Sequence, residues 1–425
     1  MTAEWRTIPA LIETPLQCSR CRNQLEKRDD NLRITCNVQP VIANIDRALR
    51  LPLDGKEMFF LWGPRQAGKS TLLKKTYPGV KWVDLLKADV YRRFSTNPEF
   101  LRQELAAGGE KFVVIDEIQK VPALLDEVHW LHENEGVCFA LCGSSARKLK
   151  RGHGNLLGGR GLRYELSGFC SQELGADFDL DRMLNHGTLP RIYLSSSAGR
   201  LLDAYISQYL KEEIMAEGLV RHLPPFSHFL EAAAFSDASA VNFSSIARDV
   251  GVSRETIRAY FEILVDTLVG RMLPAFRKRP KRRISLAEKF YFCDVGVANF
   301  LAKRGEVLRG SEAYGKAFEN WVFHELRCYN AYAGRFAAFS YWQLSSGVEV
   351  DFIVNDMQCA IECKSSQRIR DDHLKGLREL VKDHPEVKMR VLVGLEPGKR
   401  LTPDGIWILA AEEFTKMLWK GEIFS

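Results

Sequence analysis

Gly63-Pro-Arg-Gln-Ala-Gly-Lys-Ser-Thr71 is the stretch that decides the fold. It fits G-x-x-x-x-G-K-[ST], with Gly63, Gly68, Lys69 and Ser70 at the fixed positions. A loop of this kind turns its backbone N–H groups toward phosphates, and glycine lets the backbone come close. Lys69 would reach the β- and γ-phosphates as a point charge. Ser70 would ligate Mg²⁺, and Thr71 would open a helix whose positive end faces the anion. Gly63, Pro64, Arg65, Gln66, Ala67, Gly68, Lys69, Ser70 and Thr71 are therefore the expected nucleotide contacts, with ATP and Mg²⁺ as cofactors. The context agrees: Met58 to Trp62 is a short apolar run, readable as a buried strand, and Leu72-Leu73 begins a helical pattern.

Downstream, Lys111 to Glu117 (KFVVIDE) reads as a buried strand ending in two acids. Asp116 would hold Mg²⁺ through its water shell, and Glu117 would polarise the attacking water. A third apolar run, Val137 to Gly143, ends in Ser144-Ser145, either of which can touch the γ-phosphate or the lytic water; Ser145 is carried forward as the site residue. In Leu156 to Arg163 (LLGGRGLR), an arginine following that strand could reach a neighbouring subunit's nucleotide, Arg160 first and Arg163 second.

These stretches, with Ile115 to Pro122 (IDEIQKVP), the Gly143 to Ser145 tip and Gly158 to Leu166 (GGRGLRYEL), resemble a prokaryotic AAA+ ATPase group. In that group the ATPase is typically followed by a conserved domain of unknown function. The resemblance runs to about residue 375 and leaves out the first forty residues. It implies an ATP-binding protein of the P-loop superfamily, often oligomeric, and a following domain that looks nuclease-like in its C-terminal part.

At 425 residues the chain has room for about two or three domains. Its 46% hydrophobic and 27% charged content are those of a globular protein. A net charge of +6 permits an acidic partner without demanding one. No run is long and apolar enough to span a bilayer, and Met1 to Glu13 has no basic region followed by an apolar core. Cys138, Cys142 and Cys359 sit in apolar runs, as reduced buried thiols in a cytoplasm would. Residues 1–40 read as an extension. Its Cys18-x-x-Cys21, with Cys36, lacks the fourth ligand that a structural zinc site needs.

From Val41 to Leu51, Ile42, Ile45, Ala48 and Leu49 have helical spacing, which predicts a helix entering the ATPase domain. Leu201 to Met215 has one apolar face through Leu202, Ile206, Tyr209, Leu210 and Ile214. Phe243 to Arg258 has the form helix, Gly251 turn, Ser253 cap, second helix, with Ile246, Ala247, Val250, Val252 and Ile257 as its small core. That is a winged-helix pattern. Arg254 and Arg258 would face outward where such folds read DNA, and the basic run Arg277 to Arg283 falls where a wing would lie.

The last third carries Asp351, then ten intervening residues, then Glu362-x-Lys364, the spacing of a PD-(D/E)XK nuclease core. Asp351 and Glu362 would sit on adjacent strands and converge on a Mg²⁺. Lys364, two residues on, shares the strand face of Glu362 and could activate the attacking group. Glu319 is a further metal-ligating carboxylate. The expected architecture is α/β throughout. A P-loop AAA+ core spans 41–196, a helical connector and winged helix 197–304, and a restriction-endonuclease-like domain 305–425. The expected protein is an ATP-driven, DNA-associated machine with a metal-dependent nuclease domain, forming a homo-oligomer that could be a hexameric ring. The rival expectation is a nucleotide-switched scaffold or defence protein whose last domain only binds.

Overall fold

The apolar runs around the phosphate loop and the paired acids become strands of one parallel sheet. This is seen in a computed structural model that describes residues 45–53, 55–145, 161–210, 223–277 and 287–425. The strands are β1 (Phe59–Trp62), β2 (Lys81–Asp84), β3 (Phe112–Asp116), β4 (Cys138–Gly143) and β5 (Leu162–Glu165), in the order β2-β3-β4-β1-β5. All neighbours pair parallel. Alternate residues feed opposite faces. Phe60, Trp62, Val113, Ile115, Phe139 and Leu141 enter one core, and Phe59, Leu61, Val114, Ala140 and Cys142 the other. Strands buried on both faces read as continuous apolar runs, which is why they are legible in the sequence. Helices α1 (Lys69–Thr76), α2 (Ala88–Thr96), α3 (Phe100–Gly108) and α4 (Leu124–Glu135) fill the crossovers. Because the strands are parallel and β4 lies between β1 and β3, three features share the C-terminal end of the sheet: the phosphate loop, the paired acids and Ser144-Ser145.

The helix expected over Val41–Leu51 is absent across 45–51, and 41–44 lie outside the described residues. Tertiary bonds take the place of helical ones. The Ala48 N–H donates to Glu173 Oε1 (2.8 Å), and Arg47 reaches inward to the phosphate loop. The apolar face expected over Leu201–Met215 is split between a helix, Ala198–Ala204, and a wider π-type turn, Tyr205–Leu210, with Leu202 and Ile206 buried. Residues 211–215 lie outside the described residues, as do Cys18, Cys21 and the first forty residues.

In the middle of the chain, helices Leu223–Phe235, Phe243–Val250 and Arg254–Asp266 stand with a small antiparallel sheet. Its strands β6 (Ser239–Ala240), β7 (Gly270–Leu273) and β8 (Lys289–Phe292) run in the order β6-β8-β7. Asn242 and Ser253 cap their helices by accepting from Ser245 N and Thr256 N. Gly251, at φ 75°, makes the left-handed turn between them. Ile246, Ala247, Val250 and Ile257 are buried in this core and Val252 is half-buried, while Arg254 and Arg258 are exposed. The basic run lies between β7 and β8. Of it only Arg277, exposed, is among the described residues.

The C-terminal part begins with a long helix, Glu312–Tyr332. It packs on a six-stranded sheet of β9 (Phe339–Gln343), β10 (Glu349–Val354), β11 (Cys359–Lys364), β12 (Met389–Gly394), β13 (Lys399–Leu401) and β14 (Ile406–Ala410), ordered β13-β14-β12-β11-β10-β9. β9, β10 and β11 are antiparallel neighbours, whereas β11, β12 and β14 run parallel. One core joins this sheet and helix to Phe169, Leu174, Met183, Leu184 and Tyr193, so the segment after β5 is packed with the C-terminal sheet. The base of the β7–β8 hairpin is also bound here: Phe276 N donates to Tyr341 O (2.7 Å), and Tyr341 OH to Ala287 O (2.6 Å).

Two acids stitch the parts together. Glu165, at the end of β5, meets Arg271 of β7 and Arg327 of the long helix. Burial works against its charge, but the two guanidiniums prevail and hold its carboxyl down at about 2. Asp237 accepts from Phe292 N (2.7 Å) and from Asn320 Nδ2 (2.9 Å) and is fully buried. There burial wins and pushes its carboxyl up to about 7. A folded pKa above the unfolded one means that the folded state holds the proton longer. Stability from this group is therefore complete at the acid end and is lost as pH rises from about 4 through about 7. Chemical denaturation at pH 5 and pH 8 should show a loss on the order of a few kcal/mol from Asp237, which Asp237→Asn removes.

Candidate active site

The chemistry of the phosphate loop starts with two tight backbone requirements. A Cβ on Gly63 would lie 2.1 Å from Leu166 O, so only glycine lets β5 come this close to the start of the loop. Gly68 stands at φ 92° at the head of α1, a left-handed conformation that L side chains rarely adopt. Ala67 and Lys69 are buried, Gly63 likewise, Pro64, Arg65, Gly68 and Ser70 are half-buried, and Gln66 and Thr71 are exposed. The Lys69 ammonium donates to Gly63 O (2.8 Å) and Pro64 O (3.0 Å), which holds it over its own loop.

Ser70 Oγ donates to Asp116 Oδ2 at 2.7 Å, joining the loop to the tip of β3. Burial raises the Asp116 carboxyl above its ordinary range, against the hydrogen bonds from Ser70 and Cys142. Its other oxygen, Oδ1, is buried with no hydrogen-bond partner. Buried carboxylate oxygens are normally satisfied. An orphan carboxylate oxygen beside a serine hydroxyl is a hard-oxygen set that suits Mg²⁺, which binds proteins through one or two carboxylates and keeps its other positions for water and phosphate.

Glu117 takes a left-handed backbone conformation, φ 59° and ψ 44°, which costs a non-glycine residue about 1–2 kcal/mol. Strain of this kind persists where neighbours over-determine it. Here the Glu117 carboxylate accepts from the Gln119 amide and from Ser144 Oγ (3.4 Å), and Gln119 Nε2 also donates to Ser144 Oγ (3.1 Å). All three are buried. Ser144 is thus the tip residue that touches Glu117, and Ser145 is buried next to it. Arg160 lies outside the described residues, and Arg163 is exposed on β5.

Arg47 and Gln119 have no assigned role in the sequence reading. Nearly buried, Arg47 donates to Ala67 O of the loop (2.5 Å), to Ser167 O (2.7 Å) and Gly168 O (3.1 Å) after β5, and to Glu173 Oε1 (2.9 Å). Its guanidinium is also 3.4 Å from Tyr332 OH at the end of the long C-terminal helix. One side chain therefore ties the phosphate loop to the C-terminal part. Arg47→Ala would leave the fully buried Glu173 carboxylate with backbone N–H donors but no cation, and breaking a buried pair from one side costs about 3–5 kcal/mol. Equilibrium denaturation should register that loss.

Asp351, Glu362 and Lys364 are brought together. Phe352 pairs with Ile361, and one further step along β10 and β11 sets Asp351 opposite Glu362. The pairing of β10 with β9 slips between Val350 and Ile353, across Asp351 and Phe352. Asp351 Oδ2 accepts from Cys363 N (2.8 Å), and Lys364 Nζ lies 2.6 Å from Glu362 Oε1. Glu319, from the long helix, joins them, but through a lysine. Lys289 Nζ stands 3.0 Å from Glu319, 3.3 Å from Asp351 and 3.6 Å from Glu349. Burial opposes the charge on Glu319 and Glu362, and pushes Glu319 up to about 7 and Glu362 well above its ordinary range. Among the described residues no three acidic, histidine or cysteine side chains are arranged to hold a metal ion. The cluster as it stands does not fit the Mg²⁺ expected at Asp351, Glu362 and Glu319, because an ammonium takes the position among the oxygens.

Three family models match in series: one described as "AAA domain" over residues 55–175, one described as "Domain of unknown function (DUF8612)" over 177–307, and one described as "Domain of unknown function (DUF4143)" over 314–414. The chain is similar to two uncharacterized proteins, Rv2008c of Mycobacterium tuberculosis and Mb2031c of Mycobacterium bovis. Each is 25% identical over 334 residues, 76% of this chain and 73% of the relative. Among solved structures it overlaps a replication initiator DnaA bound to AMPPCP and single-stranded DNA. That match has 13% identity and TM-score 0.27, over 50% of this chain and 83% of that one. It also overlaps a signal transduction ATPase with numerous domains from Pyrococcus horikoshii, with 11% identity and TM-score 0.21, over 80% of this chain and 52% of that one. No helix among the described residues is long and apolar enough to cross a membrane. The phosphate loop on its parallel sheet and the match of residues 55–175 make this part of the chain a P-loop ATPase domain of the AAA type.

Proposed function

We propose that the chain binds and hydrolyses ATP, acts on DNA, and uses its C-terminal domain to bind and transmit rather than to cut. The observation that carries the reading is the array at the C-terminal end of the parallel sheet: Ser70 bonded to Asp116, with Glu117 held by Gln119 and Ser144. Lys69 would exchange its two loop carbonyls for the β- and γ-phosphate oxygens. Ser70 and Asp116 would hold Mg²⁺, which when bound neutralises charge on those phosphates. Glu117 would orient and polarise the attacking water, and Gln119 and Ser144 would fix its carboxylate and sense the γ-phosphate from beside it. Arg47, on the far side of the loop, links loop position to Gly168 and Tyr332, which supports transmission to the C-terminal part.

DNA as the partner rests on exposed Arg254 and Arg258 on the second capped helix, beside the β7–β8 hairpin that flanks the basic run. Arg258 lies 5.3 Å over the Phe243 ring, which orients its guanidinium. Assembly of several copies, with Arg160 or the exposed Arg163 reaching a neighbour's nucleotide, belongs to the same proposal. Mixing Arg160→Ala with Lys69→Ala subunits should then restore turnover that neither has alone. The test of the DNA reading is Mg²⁺-dependent ATP turnover with linear, branched and single-stranded DNA. DNA should raise turnover, and Arg254→Glu with Arg258→Glu should abolish the stimulation while leaving basal turnover. If no DNA binds or changes turnover, the chain is a nucleotide-switched scaffold instead.

A further inference from the structure

We infer that Lys289 is the resident cation of the C-terminal acidic cluster, and that this ammonium and a divalent metal ion exclude one another there. The inference is independent of the ATPase reading. Three carboxylates meet this ammonium, Glu319 from the long helix and Glu349 and Asp351 from β10, and Glu362 of β11 stands across from Asp351 with Lys364 as its partner. Lys289 does not belong to their sheet. It opens β8, which pairs with β6 and β7 in the middle of the chain.

Its side chain is 3% exposed, and its ammonium is 3.0, 3.3 and 3.6 Å from Glu319, Asp351 and Glu349. Tyr291, two residues along β8, donates to the same Glu319 oxygen at 2.6 Å, and the Tyr341 ring lies 5.3 Å from the ammonium. Asp351 gives its second oxygen to Cys363 N and turns the first to Lys289. An ammonium this deeply buried is tolerated only among anions, and carboxylates this close are tolerated only around a cation. Each needs the other.

A second observation is that one neighbouring carboxylate oxygen stays unsatisfied with both Lys289 and Lys364 in place. Glu362 is 3% exposed, and while its Oε1 meets Lys364, its Oε2 is buried with no hydrogen-bond partner. Mg²⁺ draws oxygens to about 2.1 Å and Ca²⁺ to about 2.3–2.6 Å. Oxygens gathered that tightly leave no room for Nζ between Glu319 and Asp351. Metal entry therefore requires Lys289 to leave.

The test is Mn²⁺ titration of the full-length protein by calorimetry, without nucleotide, with Asp351→Asn as the reference for binding at the cluster. The wild type should show no binding that Asp351→Asn removes. Lys289→Met, which keeps the buried volume and drops the charge, should gain such binding by about tenfold or more, in keeping with the electrostatic cost of two cations in one buried site. Lys289→Gln is the second variant, and recovery of either only in Mn²⁺ also supports the inference. Amine labelling read by mass spectrometry follows Lys289 in the wild type, where it should stay protected. A folded Lys289→Met that binds Mn²⁺ no better than wild type would overturn the inference. So would wild-type binding that depends on Asp351 while Lys289 remains protected. An inactive phosphate loop would alter neither result, so the two readings fail separately.

Discussion

Replacing Glu117 by glutamine should lower ATP turnover about 10²- to 10⁴-fold, the range contributed by a positioned general base, while ATP still binds. The substitution keeps the shape of the side chain, so Gln119 and Ser144 keep a partner of similar size. It also leaves Asp116 and Ser70 untouched. Only the negative charge that polarises water is lost, and that charge matters in the transition state more than in the bound state. Single-turnover phosphate release, run beside equilibrium binding of a fluorescent ATP analogue, separates the two effects. Turnover within about threefold of the wild type would move the base elsewhere.

Lys69→Ala should instead remove binding. The ammonium is buried and sits at the centre of the loop on Gly63 O and Pro64 O, where it can reach phosphate oxygens. Truncating one partner of a buried charge pair costs about 2–5 kcal/mol, so ATP affinity should fall by about 30-fold or more. Stability should change far less, because the two hydrogen bonds lost to loop carbonyls are worth about 1 kcal/mol each. Isothermal calorimetry with ATP and Mg²⁺ reads the first effect and thermal unfolding the second.

What was legible in the sequence was whatever a single run of residues carries by itself. β1, α1 and the loop between them stand where the motif puts them, because strand, glycine turn and helix start follow each other without a gap. Asp116 and Glu117 were legible for the same reason. The contact that fixes Glu117 was not, since Gln119 reaches Ser144 only through the parallel pairing of β3 with β4. Ser144 and Ser145 were equivalent in sequence, and the register separates them. Arg47 was hidden by apolar spacing that suggested a helix, while its true partners lie as far away as Glu173 and Tyr332.

The C-terminal cluster shows the same limit. Asp351, Glu362 and Lys364 fall on two neighbouring strands and were visible as a spacing. Lys289 is 62 positions before Asp351 on another sheet, and one lysine near a basic run carries no signal. The divisions at 196 and 304 follow changes in sequence pattern. Packing follows other lines: Phe169 to Tyr193 share a core with the C-terminal sheet, and Tyr341 of β9 holds the base of the β7–β8 hairpin. Those joins depend on long-range burial, which apolar periodicity cannot assign to a partner.

The phosphate loop and the paired acids work as one site only if the Ser70–Asp116 bond at its centre marks the place of Mg²⁺. The direct measurement is phosphate release from ATP by the full-length wild type with Mg²⁺ and with EDTA, beside Asp116→Asn at matched protein concentration. Release should require Mg²⁺ and fall about 100-fold or more in Asp116→Asn, in line with loss of a metal-held phosphate clamp. Release unaffected by EDTA and retained in Asp116→Asn would contradict it.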